Sequence, residues 1–216
     1  MRVLIILAGL FLVTYPASAK YLDAEAVNKA QFDVSFASKK AISPLLIKAE
    51  ILLARAHFSP GEISGRPGEN LNKAIAAFAE AQGKATKKLD REIWDKLASM
   101  SADPVVVDYT ISEADMRGPF VEKIPDKMEM MQGLPHLAYT TPREALAEKF
   151  HMSEALLAAL NRGKKLDEAG QSIAVLNVET KETKPAVARV EVDKARQTVK
   201  VLGKSGELIE FFPATV

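Results

Sequence analysis

Apolar residues recur every three or four positions in three blocks between residues 44 and 98, and the spacing changes beyond residue 104. In the first block Leu45, Leu46, Ala49, Leu52, Leu53 and Ala56 define one helical face. Ser43 is placed to cap that helix, with Pro44 at its first position. Ser59-Pro60-Gly61 must end it, because proline and glycine cannot carry the ladder onward. In the second block Leu71, Ala74, Ile75, Phe78 and Ala79 recur at helical spacing, with Asn70 as the expected N-cap and Gly83 as the left-handed residue after the C-terminus. The third helix is expected to start at Asp90, with Leu89 and Trp94 stapled across its first turn and Leu97 continuing the inner face. Ahead of these blocks, Val27, Ala30, Val34 and Ala37 are spaced to line one face of a further helix.

After Asp103-Pro104, residues 105–111 are rich in β-branched and aromatic side chains and read as a strand. A Pro/Gly/Met-rich connection covers 117–135, in which Met128, Met130 and Met131 are expected to be packing filler. Thr141-Pro142-Arg143-Glu144 spells a capping box with proline at the first helical position, and Leu146, Ala147 and Phe150 give the inner face. Ser153 caps the next helix, which runs through Leu156, Leu157 and Leu160 to Asn161-Arg162-Gly163. Strand character returns from Gly170 to Val175. Residues 179–186 form a polar linker. Three short strands follow, broken by a turn at Gly203–Gly206, as a meander expected to have little to bury itself against. The pattern as a whole predicts an α+β chain: a three-helix bundle, a βααβ unit and a β-meander.

The two ends and the composition change the picture. Arg2, an uncharged run from Val3 to Val13, and Ala17-Ser18-Ala19 together have the form of a secretory leader at residues 1–19. The run is short of the roughly 20 residues a membrane span requires, so no anchor is expected once the leader is cleaved. Without Arg2 the formal charge falls from +1 to zero, which leaves no electrostatic footprint for nucleic acid. The sequence has no cysteine, which rules out disulfides, thiolate metal clusters and a thiol nucleophile.

Candidate chemistry is sparse. His57, His136 and His151 show neither an i, i+4 pairing nor another metal-ligand spacing, so no metal or cofactor is expected. No serine sits in a nucleophile elbow or a Ser-x-x-Lys placement. Glu62, Glu69 and Asp90 do not form a carboxylate pair with defined spacing. Trp94 sits at a staple position, which favours core packing over stacking on a sugar. What remains is residues 59–70, a loop dense in glycine and proline that must turn the chain and aim the second helix.

Ile63, Ser64-Gly65, Gly68, Asn70, Ala74-Ile75, Phe78, Gly83, Asp90 and Trp94 together resemble the small helical peptidoglycan-binding domain of secreted wall enzymes, over residues 44–100. Residues 104–178 are similar to a degenerate LysM module, through the Tyr109 strand, the 141–150 and 156–161 helices, and Gly170-Gln171 with Ile173. Residues 187–216 resemble the opening strands of an L,D-transpeptidase catalytic domain, and residues 20–43 form a helical lead. The resemblance implies peptidoglycan, its glycan or its stem peptide, as the partner in the periplasm or cell envelope. It places the ligand surface at Ser64, Gly65, Arg66, Gly68, Glu69 and Asn70, with Gly65 and Gly68 letting a ligand approach the backbone. The transpeptidase family carries its chemistry on a later Ser-His-Gly-Cys segment that this sequence does not contain. The expectation is therefore a wall-binding protein without catalysis of its own. The alternatives are an incomplete copy of an L,D-transpeptidase and a periplasmic adaptor that binds protein.

Overall fold

The apolar spacing of residues 44–56 places a helix at the centre of the fold. The computed structural model describes residues 22–34, 41–125, 128–132, 139–179 and 186–215. In it α2 (Pro44–Arg55) starts where the Ser43 hydroxyl accepts from the Leu46 N–H. It buries Leu45, Leu46, Ile47, Ala49, Glu50, Ile51, Leu52 and Leu53, which is more than the single face its pattern implied. A helix buried on several sides must have neighbours on several sides. These are α1 (Ala24–Asn28), α3 (Glu69–Ala81) and α4 (Arg91–Met100).

Local rules set the ends of these helices. The Asp90 carboxylate caps α4 by accepting from the Ile93 N–H at 2.9 Å, and Leu89 and Trp94 are both buried across that turn. Gly83 ends α3 at φ +71°, with the Lys84 N–H returning to the Ala79 carbonyl. The start of α3 departs from expectation. Its N-cap is Gly68, which makes no side-chain cap bond, and Asn70 lies inside the first turn. The lead before α2 also differs: α1 spans five residues and buries Val27, whereas Val34 is exposed and Ala37 lies outside the described residues.

Beyond α4 the chain forms β1 (Val106–Thr110), α5 (Glu113–Arg117), α6 (Met128–Met131), α7 (Pro142–Lys149), α8 (Glu154–Leu160) and β2 (Ser172–Leu176). Strands β1 and β2 pair antiparallel, from Val106 opposite Leu176 to Thr110 opposite Ser172. Asn161, 2% exposed at the end of α8, fastens that helix to β2. Its amide donates to the Ala174 carbonyl at 2.7 Å, and its oxygen accepts from the Ala174 N–H at 2.7 Å. Half of the expected capping box at Thr141 forms: its hydroxyl accepts from the Glu144 N–H, but the Glu144 carboxylate reaches Thr140 instead. A complete box occurs unforeseen at Ser112 and Asp115, which start α5. The methionine connection is no filler at Met130, which is exposed.

The last strands, β3 (Arg189–Asp193), β4 (Thr198–Leu202) and β5 (Leu208–Pro213), form an antiparallel sheet in sequence order. The sequence left this meander with little to bury against, and the fold supplies a partner. Strand β5 packs on α3, and Phe211 is only 2% exposed. Among the described residues, then, the chain is mixed α+β, with eight helices and two small antiparallel sheets. One hydrophobic cluster runs from Val27 through the helices and β1–β2 to Phe211.

Polar bridges hold the segments in place. Arg55, at the last turn of α2, donates to the carbonyls of Asp103, Pro104 and Asn177 and to the Ser101 hydroxyl. Asn28 does the same for the start of β1, bonding both backbone groups of Val106 and the Val105 N–H. Each converts exposed strand-end groups into fixed contacts, and a guanidinium is suited to this because it presents several donors in one plane.

Candidate functional site

The loop between α2 and α3 begins where His57 takes φ +69° and turns the chain out of the helix. From there it makes two seams. The Ser59 N–H donates to the Phe211 carbonyl, and the Phe211 N–H donates to the His57 carbonyl, both at 2.9 Å. Ile63, fully buried, bonds His151 and Ser153 on the other side at 3.0 and 2.9 Å. The prolines and glycines around 59–68 thus let one short segment serve as an extended partner twice while reversing direction.

Between these seams and α3 the chain dips inward at Gly65. Its N–H donates to the Glu50 carboxylate at 2.7 Å, and its carbonyl accepts from the Ser43 N–H at 2.8 Å. The residue is buried, with φ +66°. A Cβ there would lie 2.5 Å from Ile47 Cγ1 and 2.9 Å from Ile42 Cγ2. Glycine is therefore required twice over, by backbone conformation and by space. Both polar groups of Gly65 are committed inside the protein, so its place is under the loop rather than at a ligand.

Glu50 is the group that holds this dip. It is 2% exposed on α2 and accepts from the backbone N–H groups of Gly65 and Ser64. Burial raises its pKa to about 8, against the opposing pull of those two donors; the charge of Glu62 adds to the rise. The sequence held a signal for it: Glu50 lies four residues after Leu46 and three before Leu53, on the apolar face of the helix.

The six residues singled out by sequence therefore separate. Ser64 is half-buried, and its hydroxyl accepts from the Arg66 N–H. Arg66, Gly68, Glu69 and Asn70 form an exposed rim at the start of α3. Glu69 pairs with Lys73 at 2.8 Å, a contact that holds its carboxyl below the usual range. Gly68 is extended at φ −158°, a conformation open to any residue, and its Cβ position is empty space. Trp94 is buried in the core, with Lys48 over its ring.

A second polar cluster, around Asp115, is bonded within the protein. Tyr109, Ser112 and Lys149 all bond the Asp115 carboxylate at 2.7 Å, joining β1, α5 and α7. Burial opposes its ionisation, but these three partners hold Asp115 well below the ordinary carboxylate range. Among the described residues no group of three or more His, Cys, Asp or Glu side chains is placed to hold a metal, and no helix is long and apolar enough to cross a membrane. His57 faces Glu210 at 3.6 Å, while His136 lies outside the described residues, as does the leader.

No protein-family model and no curated protein matches the chain.

Proposed function

We propose that this chain is an exported peptidoglycan-binding protein that performs no catalysis itself. In this reading residues 44–100 act as a helical wall-binding bundle, residues 104–178 as a LysM-like unit, and residues 187–216 as the opening hairpins of an L,D-transpeptidase domain. The observation that carries it is the rim at Arg66, Gly68, Glu69 and Asn70. It is exposed, bears both charges, and is held from beneath by the Glu50–Gly65 clasp, so its shape is set before any ligand arrives. Incubating the purified protein with sacculi tests the reading. Recovery in the pellet, weakened by Arg66→Ala combined with Glu69→Ala, is expected; recovery entirely in the supernatant refutes it.

A second reading has its own support. Val190, Val192 and Phe212 are 56%, 57% and 41% exposed on one face of the β3–β5 sheet. Apolar positions lined up on an open sheet face suit the edge of a larger β-fold, as an L,D-transpeptidase domain would provide. Sequencing the DNA beyond codon 216 in all frames tests this, since a Ser-His-Gly-Cys segment should follow.

A further inference from the structure

Strand β3 is the open edge of its sheet. In the order β3-β4-β5 it pairs with β4, and among the described residues no other strand or bridge meets its outer side. The opposite edge is occupied, because residues 57–59 bond β5 at Phe211. Helix α3 packs on β5, across the sheet from β3. An edge of this kind is a template for a further strand, and proteins commonly block it with proline, lysine or a bulge. Arg189-Val190-Glu191-Val192-Asp193 contains neither residue, and its pairing with β4 runs without a bulge from Arg189 opposite Leu202 to Asp193 opposite Thr198.

Alternation divides the side chains of β3 between two faces. Val190 and Val192 share one face. Val201 and Val199 of β4 stand on their inner flank, and the two valines remain 56% and 57% exposed. Arg189, Glu191 and Asp193 share the other face, where the Arg189 guanidinium lies 2.7 Å from the Glu191 carboxylate. That pair is exposed, and a guanidinium carries enough donors in its fork to take a second carboxylate as well.

The strand is complementary to itself in one antiparallel register. A two-fold axis at Val190 sets Val190 against Val190 of a second copy, and Ala188 against Val192. On the other face it sets Arg189 of each copy against Glu191 of the other. The neighbouring registers fail. Centring on Arg189 or on Glu191 opposes a charge to itself, and centring on Val192 sets Glu191 against Asp193; like charges directly opposite are destabilising. Centring between two residues turns the valines onto the charged face.

We propose that two copies of this chain join along β3 into one continuous six-stranded antiparallel sheet, through an interface that is the same on both sides. The open backbone groups of the two edges bond each other. The valines gain neighbours on their outer flank, and the two arginines and two glutamates alternate across the seam. The pairing rests on β3 and not on the wall-binding reading. A strand of five residues offers less than the roughly 800 Å² per partner of a standard interface, so the dimer is weak and forms with rising concentration.

The test is sedimentation velocity on the purified protein between about 10 μM and 1 mM, the range in which a small interface of this kind dissociates. The parent should pass from monomer to dimer across that range. Arg189→Glu sets carboxylates against each other at both ends of the seam, and Glu191→Lys sets cations there, so each variant alone should stay monomeric. Both positions are exposed, so each variant should keep the fluorescence of buried Trp94. An equimolar mixture of the two restores opposite charges at both ends and should recover the parent's dimer fraction, a rescue that a folding defect could not give. A parent that is monomeric at 1 mM overturns the proposal and leaves the edge to a strand of a different chain. Either variant dimerising alone as the parent does, or a mixture of the folded variants that stays monomeric, overturns it as well.

Discussion

Replacing Glu50 with glutamine should abolish most of the dependence of stability on pH between 5 and 8. The folded protein holds a proton on Glu50 up to about pH 8, whereas an ordinary glutamate releases it near 4.5. Across that window the native state binds more protons than the unfolded state, so stability falls as pH rises and levels off above pH 8. A shift of this size at about 1.36 kcal/mol per pH unit amounts to roughly 4–5 kcal/mol between the two plateaus. That is a large share of the 5–15 kcal/mol typical of a folded domain.

Glutamine approximates the neutral acid in shape and can still accept from the Gly65 and Ser64 N–H groups. The variant should lie within about 1 kcal/mol of the parent at pH 5. At pH 8.5 it should be more stable by several kcal/mol. The single tryptophan, Trp94, is 2% exposed in the core and reports unfolding by fluorescence. With a urea m-value of about 2 kcal/mol/M, the expected difference moves the midpoint by about 2 M at pH 8.5. Parallel stability profiles for variant and parent, or a larger loss for glutamine at pH 8.5 than at pH 5, would refute the reasoning. The clasp would then require an ionised carboxylate.

Gly65→Ala should cost about 2–4 kcal/mol in urea unfolding, from the strained φ and the overlap with Ile47 and Ile42, and an unchanged midpoint would contradict the packing described. Asn161→Ala should cost about 2–4 kcal/mol, because both backbone groups of buried Ala174 lose their partners; calorimetry at pH 7 checks this. Phe211→Ala should cost about 3–5 kcal/mol and release the β3–β5 sheet from α3, visible as faster amide exchange in all three strands. Lys200→Ala should change stability by less than about 1 kcal/mol, since its partner Glu80 is largely exposed; a greater loss of thermal midpoint than that implies would contradict the assignment.

The parts legible in the sequence are those governed by neighbours along the chain. Ser43-Pro44, Asp90, Thr141-Pro142 and Ser153 each act within one helical turn, and each caps a helix as its spacing implies. The strands at 106–110 and 198–202 follow from their composition for the same reason. The loop shows where such reading stops. Its glycines announced a turn, but whether Gly65 faces outward or inward depends on Glu50, fifteen residues earlier, and on the side chain of Ile47. The same limit applied to the meander: an alternating strand reveals that one face is apolar, not that Phe211 will meet α3 and Phe58 will bridge to it. Glu50 is a distant contact with a local trace, since a carboxylate on the apolar face of a helix must find donors somewhere in the fold. The nearest segment forced by glycine and proline to expose its N–H groups was the loop just beyond that helix. A buried acid followed by a backbone-rich turn is thus a pairing that can be sought in sequence, and here it links a glycine held by both conformation and space to a carboxyl whose pKa burial raises to about 8.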